Sequence, residues 1–150
     1  MIRDASLIPL SHDHHRALAL CVLVQRSLAE DEGPENVSEQ GRRIVEQFES
    51  EIREHFQMEE QVLFPELEDY PGAAVLIDEL LAEHVEIAAL VQQLAEGAGT
   101  EVVGKLCQLL PSHIRKEERL LFPQVQELLS REQLDALGKR LVHSGGTCST

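Results

Sequence analysis

The chain has 150 residues, 43% of them apolar, which fits one domain with a sizeable core and argues against disorder. Its 27 acidic and 13 basic residues leave a formal charge of −14, which argues against binding to nucleic acid or to anionic membranes. Aromatic residues are limited to four Phe and one Tyr, so aliphatic side chains must fill the core, as in helix bundles.

Apolar residues recur at helical spacing in four long stretches. Ser11 or Asp13 is expected to cap the first, Pro65 to end or kink the second, and Pro111 to bend the fourth. The turns Tyr70-Pro71-Gly72 and Gly97-Ala98-Gly99 separate the later stretches. The predicted helices span about 11–31, 36–69, 74–96 and 101–129.

A fifth, short helix is predicted over about 131–142, because Ser130 and Gln133 have the spacing of a capping box. The remaining residues, 143–150, are expected to form a flexible tail. Four long helices joined by short loops predict an all-α fold: an up-down-up-down antiparallel four-helix bundle with a short C-terminal helix. The sequence thus predicts a single domain over 1–150, with its bundle core at about 10–129.

One block of residues occurs twice, at 55–65 and at 113–123. Each copy has a His, a Glu four residues later, a second Glu, and then Leu-Phe-Pro. Residues four apart lie on one helix face, so His55 pairs with Glu59 and His113 with Glu117. Imidazole and carboxylate are ligands that iron, manganese and zinc accept. The repeat predicts one site built from two facing helices.

His14 and His84 lie on the apolar stripes of the first and third helices. A lone His on such a stripe is commonly a hydrogen-bonded core residue, and one His-x-x-x-Glu is common on solvated helices. Because a His recurs on all four apolar stripes, the pattern favours a metal site. No catalytic residue is assigned. In the two-ion arrangement Glu59 and Glu117 bridge one ion on His14 and His55 and another on His84 and His113; one ion, or zinc, remains an alternative.

Several neighbouring residues are expected to have other roles. His12 and His15 point away from the face of His14, so each is expected to be a surface residue, with a stand-in ligand as the alternative, and His143 is expected to be exposed. Glu60 and Glu118 are expected to face solvent or to orient the ligands. Cys21 is expected to fill the core rather than to act as a redox thiol, and Phe64 and Phe122 are expected to pack the end of the bundle.

The cysteine pattern indicates in which cellular compartment the protein is expected. The three cysteines form no Cys-x-x-Cys motif, and no signal peptide is visible, which fits a reducing cytoplasm. No apolar run approaches the roughly 20 residues of a membrane span.

Asp-His-His at 13–15, Glu-His at 83–84 and the two repeated blocks resemble the hemerythrin-like, or HHE cation-binding, family. The resemblance covers about 10–129. It implies an antiparallel four-helix bundle around a non-haem di-iron centre, with His14, His55, His84 and His113 as terminal ligands and Glu59 and Glu117 as bridges.

Oxygen-carrying members have a further His where this chain has Ala88, and an Asp five residues after the helix-four His. The set of four His and two Glu is more similar to the iron-sensing domain of an F-box protein and to iron–sulfur cluster repair proteins. The resemblance therefore does not imply simple oxygen transport.

The leading functional prediction is a small cytoplasmic protein that binds two iron ions, with an oxo or hydroxo bridge, and binds or senses dioxygen, nitric oxide or iron itself. Zinc or manganese are possible substitutes for iron. Peroxide is a further small ligand. One alternative is an enzyme: a di-iron oxidase, a peroxidase, or a repair factor for iron–sulfur clusters or nitric-oxide stress. The other is a regulatory module that orders with metal.

Overall fold

The computed structural model describes residues 2–145, and the side chains of 2–141. Within this part of the chain every regular element is helical and there is no strand. The α-helices are α1 (Ile8–Glu30), α2 (Pro34–Gln47), α3 (Arg53–Met58), α4 (Pro71–Ala95), α5 (Thr100–Lys116), α6 (Phe122–Leu128) and α7 (Arg131–Gly145).

Helix α1 begins three residues before the predicted start. Pro9 lies in its first turn, where a missing N–H costs nothing, and a 3-10 turn over Ala5–Leu7 leads into it. The expected caps were wrong: Ser11 and Asp13 lie inside the helix, and their side chains contact other helices. Helices α2 and α4 likewise begin at Pro34 and Pro71, so the predicted turn at 70–72 ends two residues earlier.

The two repeated blocks each contain a π-helical turn, Glu59–Leu63 and Glu117–Leu121. The N–H of Phe64 donates to the carbonyl of Glu59 five residues back, and that of Phe122 does the same to Glu117. A proline follows each Phe, so the α-helical bond to the residue four back is lost there. The predicted end at Pro65 is confirmed, because a 3-10 turn over Phe64–Leu67 succeeds the π turn. A third π turn covers Phe48–Ile52, and helix α5 continues through Pro111.

The C-terminal helix α7 has 15 residues, so the prediction of a short one was wrong. Its predicted cap is confirmed: Gln133 N–H donates to Ser130 Oγ at 3.1 Å, and Ser130 N–H donates to Gln133 Oε1 at 2.8 Å. The helix covers the first residues of the predicted tail, the side chain of His143 is not described, and 146–150 lie outside the described residues.

Helix α1 packs against α2 and α5, and α4 packs against the same two helices. Helix α7 packs against the turn Ala5–Leu7. Two apolar clusters fill the interior. One contains Ala17, Phe56, Ile87 and Ile114, and the other contains Leu10, Leu63, Leu80 and Leu121. Along the chain, His14 lies between Leu10 and Ala17, and His84 lies between Leu80 and Ile87, so each has one cluster on either side. No helix in the described residues is long and apolar enough to cross a membrane.

Candidate metal centre

The structure brings all six predicted ligands together in a buried layer between the apolar clusters. None is more than 5% exposed, and Glu59, His113 and Glu117 are fully buried. Four separate helices position the imidazoles, since His14, His55, His84 and His113 belong to α1, α3, α4 and α5. The two carboxylates are the first residues of the two π turns.

The ligand atoms form two groups of four that share both carboxylates. One group is His14, His55, Glu59 and Glu117; the other is Glu59, His84, His113 and Glu117. Within each group the ligand atoms lie within 4.8 Å of one another. This is the grouping that the sequence predicts for two ions with shared carboxylates.

Glu59 contacts both groups through different oxygens. Its Oε2 lies 3.1 Å from His55 Nε2 and 3.9 Å from His14 Nε2, whereas its Oε1 lies 3.0 Å from His84 Nε2. Glu117 reaches across in a different way, because its Oε1 lies 2.9 Å from His14 Nε2 and 3.4 Å from His113 Nε2. Both carboxylates are therefore placed to join the two groups.

Each imidazole presents Nε2 to the centre and directs Nδ1 to a carboxylate on a neighbouring element. The distances are 2.9 Å from His55 to Asp13, 2.7 Å from His84 to Glu60, 2.8 Å from His113 to Glu83 and 2.6 Å from His14 to Glu118. These four carboxylates form an outer ring around the imidazoles. In chain order, each of the first three long helical segments supplies one acid to the histidine of the following segment, and the fourth supplies one to the histidine of the first. A carboxylate at Nδ1 holds the N–H there and leaves Nε2 free to bind a metal.

The outer ring was only partly predicted. Glu60 and Glu118 were expected to orient ligands or to face solvent, and the structure supports the first role. Asp13 was expected only as a possible helix cap and Glu83 was given no role, although each directly precedes a predicted ligand. The sequence does show an acid before His14 and His84 and an acid after Glu59 and Glu117, and this pattern is the signal for the ring. The consecutive acids Glu59 and Glu60, which begin a π turn, contact the two nitrogens of the same ring, that of His84.

Burial and the close charges shift the pKa values in the metal-free site. Burial and the neighbouring Glu59 raise the pKa of Glu117, as expected for two like charges in a low-dielectric core. Burial alone would lower the pKa of His55, but the charge of Glu59 and the hydrogen bond with Asp13 raise it to about 9. Burial lowers the pKa of His113 to about 4. The site can therefore retain protons that a metal displaces.

Several buried ligand atoms have no hydrogen-bond partner within the protein. They are both oxygens of Glu59, Oε2 of Glu117, and Nε2 of His84 and of His113. Some of these atoms lie close together, such as His84 Nε2 and Glu59 Oε1, but the angle between the two groups does not allow a hydrogen bond. Each unsatisfied buried polar group costs about 1–3 kcal/mol. A cation among them compensates that cost, so the residues fit a metal.

Aromatic rings and a small cavity surround the centre. Phe56 stacks on His84 with ring centroids 3.8 Å apart, and Phe122 stacks on His14 at 5.5 Å. Phe64 and Phe122 thus pack against the predicted ligands as well as the core. A cavity of ≈ 10 Å³, close to the smallest volume that holds one water, is lined by residues that include His14, His55, His113 and Glu117.

The predicted non-ligand histidines are exposed: His12 and His15 face away from this layer. Cys21 is buried in the core, as expected. An all-helical protein whose interior holds two joined His/Glu groups belongs to the class of helical metal-binding proteins. The family model described as "Hemerythrin HHE cation binding domain" matches residues 8–125, and the chain therefore belongs to this family. No curated protein and no solved structure matches the chain.

Proposed function

We propose that the chain holds two iron ions between its long helices and uses them to bind or sense dioxygen, nitric oxide or iron itself. The observation that supports this most directly is that two four-ligand groups share Glu59 and Glu117. His14 and His55 would hold one ion, and His84 and His113 the other. Iron supplies a reversible change of redox state and coordination positions for a small ligand.

The surrounding protein accounts for the remaining requirements of such a site. The outer carboxylates orient the imidazoles, and the apolar clusters on either side exclude bulk water. The small cavity beside His14 admits only a small molecule. We further propose that the four long helical segments form one antiparallel four-helix bundle, that 1–150 is a single domain, and that the protein is cytoplasmic. The paired contacts Asp13–His55 and Arg16–Glu51 support opposite directions for the first two segments.

Elemental analysis tests the metal content. Pure protein loaded anaerobically with iron(II) and then desalted should contain two iron ions per chain. His55→Ala and Glu117→Ala should sharply reduce that number, whereas the exposed His12→Ala and His15→Ala should not. One ion or none in the parent protein would contradict the di-iron proposal. Parallel loading with zinc and manganese would show which metal the site retains.

A turnover assay separates a binder or sensor from an enzyme. The iron-loaded protein is mixed with excess hydrogen peroxide or nitric oxide, and consumption beyond the iron content is measured. Consumption that stops at the iron content supports binding or sensing. Sustained consumption would favour a peroxidase or a repair factor for nitric-oxide damage.

A further inference from the structure

The segment 2–7, which precedes helix α1, is bound to the second repeated block beside the metal centre. Arg3 Nη2 donates to Oε1 of Glu118 at 3.1 Å and to the carbonyl oxygen of the same residue at 2.7 Å. Arg3 Nη1 donates to Gln126 Oε1 at 3.3 Å, and that oxygen also accepts from the N–H of Asp4 at 2.9 Å. Arg3 therefore binds both the backbone and the carboxylate of one acid of the outer ring.

The carbonyl of Glu118 is available to Arg3 because of the π turn and the proline that follows it. In an α-helix this carbonyl would accept from the N–H of Phe122, but that N–H donates to Glu117. In a π-helix it would accept from residue 123, which is a proline and has no N–H. Arg3 thus supplies a donor that neither helical pattern provides.

The second carboxylate oxygen of Glu118 connects Arg3 to a predicted ligand. Glu118 Oε2 lies 2.6 Å from His14 Nδ1 and accepts from Ser11 Oγ at 2.7 Å. The guanidinium of Arg3 also lies over the ring of Phe122, 5.1 Å from its centroid. That ring stacks on His14 with 12° between the two planes. Arg3 therefore contacts both the acid and the aromatic ring that flank the imidazole of His14.

The equivalent acid of the first repeated block, Glu60, is supported differently. Glu60 Oε2 lies 2.7 Å from His84 Nδ1, but within the described residues no Arg or Lys forms an ion pair with Glu60. Its side chain is 44% exposed, against 26% for Glu118, and it lines an open surface pocket. The two halves of the centre are thus unequal in how firmly their outer acids are held.

We propose that Arg3 is a positioning residue for the metal centre: it fixes Glu118 and thereby the ring of His14. The inference rests on the proposed two-ion function, and it means that the ion on His14 is bound more tightly than the ligands alone would bind it. A carboxylate at Nδ1 sets the direction of the imidazole, and the planar guanidinium limits how far that carboxylate can turn. The charge of Arg3 opposes a cation at the centre, but Glu118 neutralises that charge, so the orienting effect decides the sign.

Zinc is the probe, because it needs no reductant and leaves the histidine rings visible by NMR. The full chain and Arg3→Ala are titrated with zinc in competition with a chelator of known affinity. Arg3→Ala should weaken one of the two zinc ions by about 3- to 10-fold, less than the roughly 10- to 100-fold expected when an outer partner itself is removed. Arg3→Lys keeps a charged donor for the carboxylate and should restore part of the affinity.

Arg131→Ala is the matched control, because Arg131 binds the same segment through Asp4. In the described part of the chain Arg131 has no hydrogen bond or ion pair with Glu118, so its removal should leave both zinc affinities unchanged. Equal losses in Arg3→Ala and Arg131→Ala would overturn the proposal, because loosening of the segment would then be the cause.

The histidine rings report the orientation of His14 directly. In isotope-labelled protein, with and without zinc, the Nδ1–H of His14 should exchange with water faster in Arg3→Ala than in the parent. The Nδ1–H of His113, whose partner is Glu83, should not change. The signal of His14 is identified by its loss in His14→Gln. An unchanged exchange rate at His14 would overturn the proposal.

A double-mutant cycle tests whether Arg3 acts through Glu118. In a Glu118→Ala background, Arg3→Ala should cost much less zinc affinity than it does in the parent background, because the intermediate partner is gone. An undiminished loss would overturn the assigned route. A parent protein that binds neither zinc nor iron would refute the proposed function, whereas the spectrum of the metal-free protein decides separately whether Arg3 orients His14.

Discussion

Nδ1 of His113 lies 2.8 Å from Oε1 of Glu83, and Lys116 Nζ donates to the other oxygen of the same carboxylate at 2.5 Å. Lys116 also contacts Glu79, which does not reach the histidine. The carboxylate of Glu83 thus lies between a cation and a predicted ligand. Burial would raise the pKa of Glu83, but its hydrogen bonds with Lys116 and His113 lower that pKa below its ordinary value. This relationship gives a test with a control on the same helix.

Glu83→Ala should weaken metal binding by about 10- to 100-fold, because His113 loses the acceptor that orients its ring. Glu79→Ala removes a carboxylate from the same lysine but leaves His113 Nδ1 hydrogen-bonded, so it should have little effect. The measurement is competition for metal against a chelator of known affinity. Equal affinities in the two variants would contradict an orienting role for Glu83.

The pH dependence of the metal-free protein should follow its buried histidines. His55 has a folded pKa of about 9 against an ordinary value of 6.5, so its contribution to stability is full below 6.5 and is lost as pH rises to 9. His113 has a folded pKa of about 4, so its contribution is lost as pH falls from 6.5 to 4. The contributions of these two histidines are together greatest near pH 6.5, and the raised pKa of Glu117 adds a further loss of stability as pH rises above its ordinary value of 4.5.

Metal should reverse the loss of stability at alkaline pH, because metal binding displaces the protons that His55 and Glu117 retain. The melting temperature is measured with iron and with chelator from pH 4 to pH 9. The gap between the two curves should widen above pH 6.5, and saturation at 100 times the dissociation constant adds about 2.7 kcal/mol. His55→Gln should flatten the alkaline limb of the metal-free curve. Identical melting temperatures with and without metal would contradict the prediction.

Ala88 lies one turn after His84, is partly buried, and packs against the core. An imidazole there would reach toward the same ion, so Ala88→His should slow the oxidation of iron(II) by dioxygen by occupying a coordination position. Overpacking should cost about 1–3 kcal/mol of folding free energy. Stopped-flow absorbance of the anaerobic iron(II) protein mixed with dioxygen gives the rate.

The neighbouring Ala89→His is the matched control, because residue 89 is exposed. Its oxidation rate should equal that of the parent. If a folded, iron-loaded Ala88→His protein also reacted at the parental rate, the absence of a histidine at 88 would not determine the reactivity.

Helix α7 depends on a close approach at Gly138. A Cβ added there would lie 3.0 Å from Cα and 3.1 Å from Cβ of Ser6, which is buried. Gly138→Ala should therefore lower the free energy of unfolding by about 1–3 kcal/mol, since backbone must move. Gly104→Ala is the control: a Cβ there meets nothing within 4 Å, and it should stabilise helix α5 by about 0.5–1 kcal/mol. Urea unfolding in chelator measures both, and equal effects would exclude the contact with Ser6 as the cause.

The positions of the long helices could be predicted because apolar periodicity and proline act locally. The end at Pro65 and the cap formed by Ser130 and Gln133 are examples. The start of α1 was placed too late, because Ser11 is a good cap by type but its hydroxyl donates to Glu118 instead, at 2.7 Å. Only the packed structure decides between these two partners.

The six candidate ligands could be found from the sequence because His and Glu four apart share a helix face, and because the block recurs. Their outer partners could not, since Asp13 and Glu60 reach histidines on other helices. The π turns that carry these consecutive acids are also invisible to a helical period. Cys21 and Cys107 likewise join one apolar cluster although 86 positions of chain separate them, because the packing of α1 against α5, and not any local pattern, brings their helices together.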